Sequence, residues 1–229
     1  MTWTSELFDE LTHAGREHLD PAYVAGYDRK AGFEADAAEE VRMLLGLGLG
    51  SESTLVDLGA GTGTLALAAA PAFRRVVAVD VSPAMVAALR RKVAGAANVE
   101  CVQAGFLTYG HRGPPADVVY SRNSLHHLPD FWKAIALERI AAILRPGGVF
   151  RLRDIVFSFD VRDSESAIGV WLENAGTWTA DELRAHLRDE HSTFTWLLEP
   201  MLKRAGFEIA EAEYGARQIF AHYVCVKPK

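Results

Sequence analysis

The stretch that most constrains the fold is LVDLGAGTGTLALAAAP, at residues 55–71. It begins with apolar residues typical of a buried strand, continues through glycines at positions 59, 61 and 63, and ends in an alanine-rich run of helical composition. A strand that turns through glycines into a helix brings backbone N–H groups close to a bound ligand. The stretch therefore predicts a ligand site where a buried strand ends.

The rest of the chain alternates between strand-like and helix-like segments. Strands are predicted at TLVDLG, RVVAVDVS, VECVQAG, ADVVYSRNS and VFRLRDIVFSF, with helices at GTLALAAAPAF, PAMVAALRRKVAG and DFWKAIALERIAAIL between them. Apolar strands separated by helices are typical of a parallel sheet covered on both faces. We therefore predict an α/β fold with a doubly wound seven-stranded sheet, which FEIAEAEYG and QIFAHYVCVK close as an antiparallel hairpin at the edge.

The predicted organisation is a single domain of four parts. Residues 1–49 form an N-terminal helical cap, 50–157 the ligand-binding core, 158–205 a helical lid inserted after the fifth strand, and 206–229 the closing hairpin. The cap is expected to contain a helix over residues 4–19 and a second helix that begins at Asp20, with Pro21 in its first position. In the lid, Thr179 and Glu182 have the spacing of a capping box.

The glycine loop differs from the two common phosphate-binding loops. A dinucleotide fingerprint requires a late glycine where this chain has Thr64, and a P-loop requires a lysine, which the loop lacks. Asp57, two residues before the first glycine, would repel a phosphate and attract a cationic group. Asp80, at the end of the next strand, can accept hydrogen bonds from both ribose hydroxyls. These residues favour an adenosine with a positively charged tail, as in S-adenosylmethionine; a nicotinamide-dependent oxidoreductase is the less favoured alternative.

Four motifs, in the expected order, resemble those of the class I S-adenosylmethionine-dependent methyltransferases. They are VDLGAGTG, VVAVDVSPAMV, ADVVYSRNSLHHL and LRPGGVFRLRD, and the resemblance covers about residues 50–157. It implies a Rossmann-like fold, S-adenosylmethionine as the cofactor, and methyl transfer by in-line displacement without a metal. It also implies contacts to the methionine part and the ribose from Asp57, Gly59, Ala60, Gly61, Gly63, Asp80 and Val81.

The third motif departs from the family pattern. Gly105 stands where the family usually has an acidic residue that accepts a hydrogen bond from the adenine amino group, so the base is left to Phe106, through its backbone and ring. Asn123, after the fourth strand, lies where the family's residues approach the methionine part. Because Gly105 lacks this acidic side chain, an alternative is that the protein binds the cofactor without turnover, as a regulatory or scaffold protein.

Candidates for catalysis and for covering the site are less specific. His126 and His127 offer a general base that takes a proton from a hydroxyl or amine acceptor, but such a pair also packs against or caps the following helix. Tyr27 and Lys30, on the predicted second helix, are expected to line the site, or else to belong to a surface helix.

Composition limits the partners. The net charge of −6 argues against nucleic acid, and no apolar run is long enough for a membrane span. Cys101 and Cys225 fit buried thiols of a cytoplasmic protein better than a disulfide or a metal site. The expected partner is a small-molecule methyl acceptor that reacts through oxygen, nitrogen or carbon; a homodimer is left open.

Overall fold

A single twisted sheet organises the molecule, and the computed structural model describes residues 6–28, 33–176 and 178–229. The strands are β1 (Thr54–Leu58), β2 (Arg75–Asp80), β3 (Val99–Gln103), β4 (Ala116–Arg122), β5 (Leu144–Phe157), β6 (Thr193–Phe194), β7 (Glu208–Tyr214) and β8 (Phe220–Val226). Their order is β3-β2-β1-β4-β5-β8-β7, with the two-residue β6 paired to β5 beside this path. The predicted doubly wound α/β fold is confirmed.

Strand pairing sets the direction of the sheet. β1 lies inside the sheet and is parallel to both neighbours, with Val56 opposite Val77 of β2 and Val119 of β4. β8 runs antiparallel to β5 and to β7 and lies between them. The predicted closing hairpin therefore exists, with β7 at the edge and β8 inside the sheet. Because β1 to β5 are parallel, their carboxyl ends meet at one edge, where ligands bind in open α/β sheets.

Helices cover both faces of the sheet. They are α1 (Pro21–Val24), α2 (Phe33–Gly46), α3 (Thr64–Ala69), α4 (Pro83–Lys92), α5 (Asp130–Ile143), α6 (Ser164–Glu173), α7 (Ala180–Asp189) and α8 (Thr195–Arg204). Leu55 of β1 packs in the same cluster as Leu44 of α2, whereas Val56, which points to the opposite face, packs in the cluster of Leu137 of α5. The alternating side chains of one strand thus supply both hydrophobic cores.

The N-terminal cap differs from its prediction. The continuous helix predicted over residues 4–19 is wrong for the described part, which forms two short 3₁₀ turns, Glu10–His13 and Arg16–Leu19. Gly15, with φ of +78°, separates them, because this backbone conformation does not continue a right-handed helix. The predicted cap at Asp20 is confirmed, since its side chain accepts the N–H of Ala22 at 2.8 Å.

Ion pairs attach the cap to the sheet and to the glycine loop. Glu40 of α2 is buried and accepts two hydrogen bonds from the Arg151 guanidinium, at 3.0 and 3.1 Å, and one from Arg153 at 2.9 Å. Lys92 at the end of α4 donates to Asp28 at 2.5 Å and to Thr64 at 2.8 Å. The cap is therefore held on both sides of the loop that follows β1.

The segment after β5 forms a small unit with its own hydrophobic cluster. Trp171 of α6 and Leu183 of α7 pack there against Phe157 and Phe159, and the predicted capping box opens α7. By contrast, α8 packs in the main core through its buried leucines at 198 and 202. The packing thus ends the inserted segment before α8, whereas the sequence division extended it to residue 205.

Two further expectations concern membranes and thiols. Among the described residues, no helix combines the length and the hydropathy needed to cross a membrane. Cys101 is half-buried and Cys225 is buried, and both are free thiols.

Candidate active site

The loop after β1 forms one wall of a cleft at the carboxyl ends of the parallel strands. The N–H groups of Gly59 and Ala60 both donate to the Val79 carbonyl at 2.9 Å, which ties the loop to the end of β2. Gly59 has φ of +78°, and a side chain there would overlap Ser124 after β4. Glycine is required at this position because the ends of β1 and β4 approach each other so closely.

Asp80 links the glycine loop to the turn after β2. One carboxylate oxygen accepts the N–H of Gly61 and the other accepts the N–H of Ser82, both at 2.8 Å. Burial raises the pKa of Asp80, and these two N–H bonds oppose that rise. An ionised carboxylate has about four acceptor sites, so two remain for a pair of hydroxyl groups in the cleft.

Asp57 supplies a second carboxyl group to the same wall. It is 2% exposed, and burial together with the nearby charge of Asp80 raises its pKa to about 8. Near neutral pH the carboxyl of Asp57 therefore holds a proton in the ligand-free protein. A cationic group in the cleft would favour its ionised form.

An acidic side chain from a distant part of the chain occupies the space beside Gly105. The carboxylate of Glu10, in the N-terminal cap, accepts the N–H of Leu107 at 3.0 Å and the hydroxyl of Thr108 at 3.3 Å. A Cβ at Gly105 would overlap this carboxylate, so glycine is what admits it. Burial raises the pKa of Glu10, against the hydrogen bonds that lower it. Glu10 and Phe106 both line the cleft.

The wall after β4 is built from a strained turn. Asn123 has φ of +46°, a conformation that asparagine adopts more readily than most residues, and its N–H donates to the Arg153 carbonyl at 2.8 Å. Neighbouring Arg122 lines the cleft and pairs with Asp36 of α2 at 2.6 Å. The end of β4 is thus held between β5 and the cap.

The two adjacent histidines have different surroundings. His127 lines the cleft, where its ring lies 5.7 Å from that of His18. His126 is buried behind it, with Nδ1 2.5 Å from Asp154 and Nε2 2.9 Å from Glu190. Of the two general-base candidates, only His127 has access to a ligand in the cleft.

The cap supplies the outer wall through aromatic rings. Tyr27 lines the cleft, and its ring centroid lies 5.5 Å from that of His18 and 6.0 Å from that of Tyr23. Burial raises the pKa of Tyr27, so its hydroxyl stays protonated at neutral pH. Lys30 lies outside the described residues.

Most of the sequence-predicted site residues meet in this one cleft. Those that line it are Tyr27, Asp57, Gly59, Ala60, Gly61, Asp80, Val81, Gly105, Phe106, Asn123 and His127. Gly63 does not line it, because it begins α3 and packs against Leu89. Trp171 and Trp196, the tryptophans of α6 and α8, do not line it either; the first is buried in the cluster of the inserted segment and the second is 58% exposed.

Sequence reasoning missed the contributions of the N-terminal turns, Glu10 and His18. No local motif marks them, and they reach the cleft only because the cap folds across the sheet edge. The space in the cleft is about 1080 Å³, including the open mouth.

Comparison with known proteins agrees with this geometry. Residues 55–148 match a family model described as a methyltransferase domain. The chain is thus similar to a methyltransferase domain over less than half of its length. The matched residues begin in β1, include the glycine loop and Asp80, and end inside β5.

A curated relative and two solved structures resemble the domain. The 27-O-demethylrifamycin SV methyltransferase of Amycolatopsis mediterranei is 36% identical over 77 residues, which are 32% of this chain and 28% of that protein. The match thus spans less than a third of the relative's length. The magnesium protoporphyrin IX methyltransferase of Synechocystis, solved with bound S-adenosylmethionine, is 15% identical with a TM-score of 0.67, over 96% of this chain and 98% of that one.

The second structure is a methyltransferase of Haloferax volcanii in complex with the Trm112 activator. It is 20% identical with a TM-score of 0.66, and the match covers 91% of this chain and 97% of that one. At these identities, the two structural likenesses establish the shared fold.

Proposed function

We propose that the protein transfers a methyl group from S-adenosylmethionine to a small-molecule acceptor. The observation that carries the proposal is the pair of buried carboxyl groups, Asp57 and Asp80, beside a glycine loop without a phosphate-binding lysine. The carboxylate of Asp80 disfavours a phosphate and can accept ribose hydroxyls. Asp57, whose ionised form a cationic group would favour, suits a ligand with a cationic tail. The family model, the match to a named methyltransferase and the shared fold support the same ligand.

The cleft residues suggest how the cofactor is oriented. Asp80 would accept the ribose hydroxyls, because two of its acceptor sites remain after Gly61 and Ser82 are bound. Asp57 would attract the ammonium group, and Glu10 would accept a hydrogen bond from the adenine amino group. When bound, the cofactor supplies a methyl group that its positively charged sulfur already activates.

The acceptor would enter on the side formed by the cap and by the turn after β4. His18, Tyr27 and His127 line that side of the cleft. His127 would take the proton of an attacking hydroxyl or amine, while the cap excludes water from the reacting atoms. The name of the Amycolatopsis relative specifies methylation at an oxygen of a small molecule, which supports an oxygen acceptor here.

The direct test measures formation of S-adenosylhomocysteine with phenols, aliphatic alcohols, amines and carbon acids as acceptors. We expect turnover with at least one of these small-molecule classes and loss of kcat in His127→Gln at unchanged affinity for S-adenosylhomocysteine. Binding of the cofactor without turnover on any small molecule would contradict the proposal. Turnover only with protein or RNA would also contradict it.

The ribose contact has its own test. Asp80→Asn keeps one acceptor oxygen but removes the charge, so it should weaken S-adenosylhomocysteine binding by about 1.5–3 kcal/mol. Unchanged affinity in a folded Asp80→Asn protein would refute the assignment of this residue. The asparagine variant is preferable to alanine, because it still accepts one of the two backbone N–H groups of Gly61 and Ser82, whereas alanine would release both.

A further inference from the structure

A cluster of imidazole and carboxylate groups lies behind the cleft, where the inserted segment meets the core. It contains His126 from the turn after β4, His186 from α7 and Glu190 at the end of α7, with side-chain exposures of 5%, 11% and 14%. One atom of each residue can act as a metal ligand, and these three atoms lie within 4.8 Å of one another. Nε2 of His126 is 2.9 Å from Oε2 of Glu190, and Nδ1 of His186 contacts the same oxygen.

The outer nitrogen of each imidazole is already held by an oxygen. Nδ1 of His126 lies 2.5 Å from one oxygen of Asp154, whose other oxygen accepts the backbone N–H of His126 at 3.1 Å. Nε2 of His186 lies 2.8 Å from the hydroxyl of Ser192. Both rings are therefore oriented with their inner nitrogens towards Glu190. Metal-binding histidines in proteins are typically supported in this way, with the remote nitrogen on a carboxylate or another oxygen.

The carboxylate oxygen at the centre of the cluster lacks a conventional partner. Oε2 of Glu190 is buried and, among the described residues, makes no hydrogen bond of acceptable geometry, although it is close to both imidazoles. Tetrahedral ligands at about 2.0 Å from zinc lie about 3.3 Å from one another, so the three side chains would move slightly apart to admit an ion between them. Two carboxylates, Asp154 and Glu190, also match the charge of a divalent ion.

We propose that His126, His186 and Glu190 bind a zinc ion, with Asp154 and Ser192 orienting the two imidazoles. Two histidines and one carboxylate suit zinc, whereas magnesium prefers an all-oxygen set. The ion would join α7 of the inserted segment to the turn that carries His127 into the cleft. Its role is to hold this segment against the acceptor side, and methyl transfer itself needs no step at the ion.

The test is a calorimetric titration of the full chain, prepared without a histidine tag and stripped of metals with a chelator. We expect one zinc ion per chain and no binding of magnesium. His186→Ala and Glu190→Gln should each weaken zinc binding by about 100-fold or more, and Asp154→Asn by about 10- to 100-fold. Substitution of cobalt for zinc gives an absorption spectrum that reports the ligand set independently.

Two control variants exclude other zinc ligands. His111→Ala removes an imidazole that is bonded to Tyr109 and the Pro114 carbonyl, away from the cluster, and Cys101→Ser removes the half-buried thiol. Both should bind zinc like the unmodified protein.

Two results would overturn the proposal. If the folded, unmodified protein takes up no zinc, the cluster is an ion-pair network held by protons. If zinc binds equally well to Glu190→Gln and His186→Ala, the ion lies elsewhere. The titration of the unmodified protein decides the first point even when a variant does not fold. Because no cofactor or acceptor is used, the outcome is independent of the proposed methyl transfer.

Discussion

Glu10 is predicted to select adenine through the group at its 6-position. Its carboxylate stands over Gly105 and accepts hydrogen bonds from Leu107 and Thr108, yet a carboxylate has acceptor sites left for an amino group in the cleft. A hydrogen bond to a charged group contributes about 1.5–3 kcal/mol, so Glu10→Gln should weaken S-adenosylhomocysteine binding by about 10- to 150-fold.

A second ligand tests whether Glu10 contacts the group at the 6-position of the base directly. S-inosylhomocysteine carries an oxygen in place of the amino group, which the carboxylate of Glu10 would repel. The unmodified protein should therefore bind the adenosyl ligand at least ten times (about 1.4 kcal/mol) more tightly. In Glu10→Gln the side-chain amide can donate to that oxygen, so the preference should shrink or reverse.

The assay is isothermal titration of both ligands into both proteins, with thermal unfolding as a check on folding. Glu17→Gln, an exposed change in the same N-terminal segment, serves as the matched control and should leave both affinities unchanged. An equal ratio of the two affinities in the unmodified and Glu10→Gln proteins would refute the contact with the base.

Three further predictions follow from burial and charge. The pKa of Asp57 is raised to about 8, and a bound ammonium group favours its ionised form. Affinity for S-adenosylhomocysteine should therefore rise from pH 6 to 7.5, by up to about tenfold per pH unit. An equally steep rise in the Asp57→Asn protein would contradict this role of Asp57. Gly105→Ala should displace the carboxylate of Glu10 and weaken the binding of S-adenosylhomocysteine. Unchanged affinity would show that the close approach of Glu10 to Gly105 is unimportant for this binding. Glu40→Ala removes the carboxylate that pairs with buried Arg151 and half-buried Arg153, so it should lower the free energy of unfolding by about 3–5 kcal/mol in denaturant titrations. Exposed Glu39→Ala should change it by less than about 0.5 kcal/mol, and similar losses in both variants would contradict a stabilising role of these ion pairs.

The sheet was predictable from sequence because its strands are short apolar runs separated by helices and turns. The loop at Gly59 and the carboxylates Asp57 and Asp80 follow from the same pattern, since each stands at or beside the end of a predicted strand. Parallel pairing then brings these ends together, as the observed register of β1 with β2 and β4 confirms.

The N-terminal cap was less predictable because its conformation depends on contacts with distant parts of the chain. Residues 6–19 have a composition compatible with a helix, but Gly15 interrupts it, and the two resulting turns place Glu10 and His18 in the cleft. Nothing near Gly105 in the sequence indicates that Glu10 occupies the adjoining space.

In the inserted segment, too, local features were predictable from the sequence and contacts with distant residues were not. The capping box of Thr179 and Glu182 is local, and the sequence predicts it correctly. The meeting of His186 and Glu190 with His126 depends on how α7 docks onto the core, and no spacing in the chain indicates it.

The cleft beside the glycine loop is expected to bind the methyl donor. The most direct test is a calorimetric titration of the purified protein with S-adenosylhomocysteine and, separately, with NAD. We predict binding of one S-adenosylhomocysteine per chain, marked weakening in Asp80→Asn, and no heat from NAD. Preference for NAD, or no binding of the adenosyl ligand by the folded protein, would show that this cleft is not a site for the methyl donor.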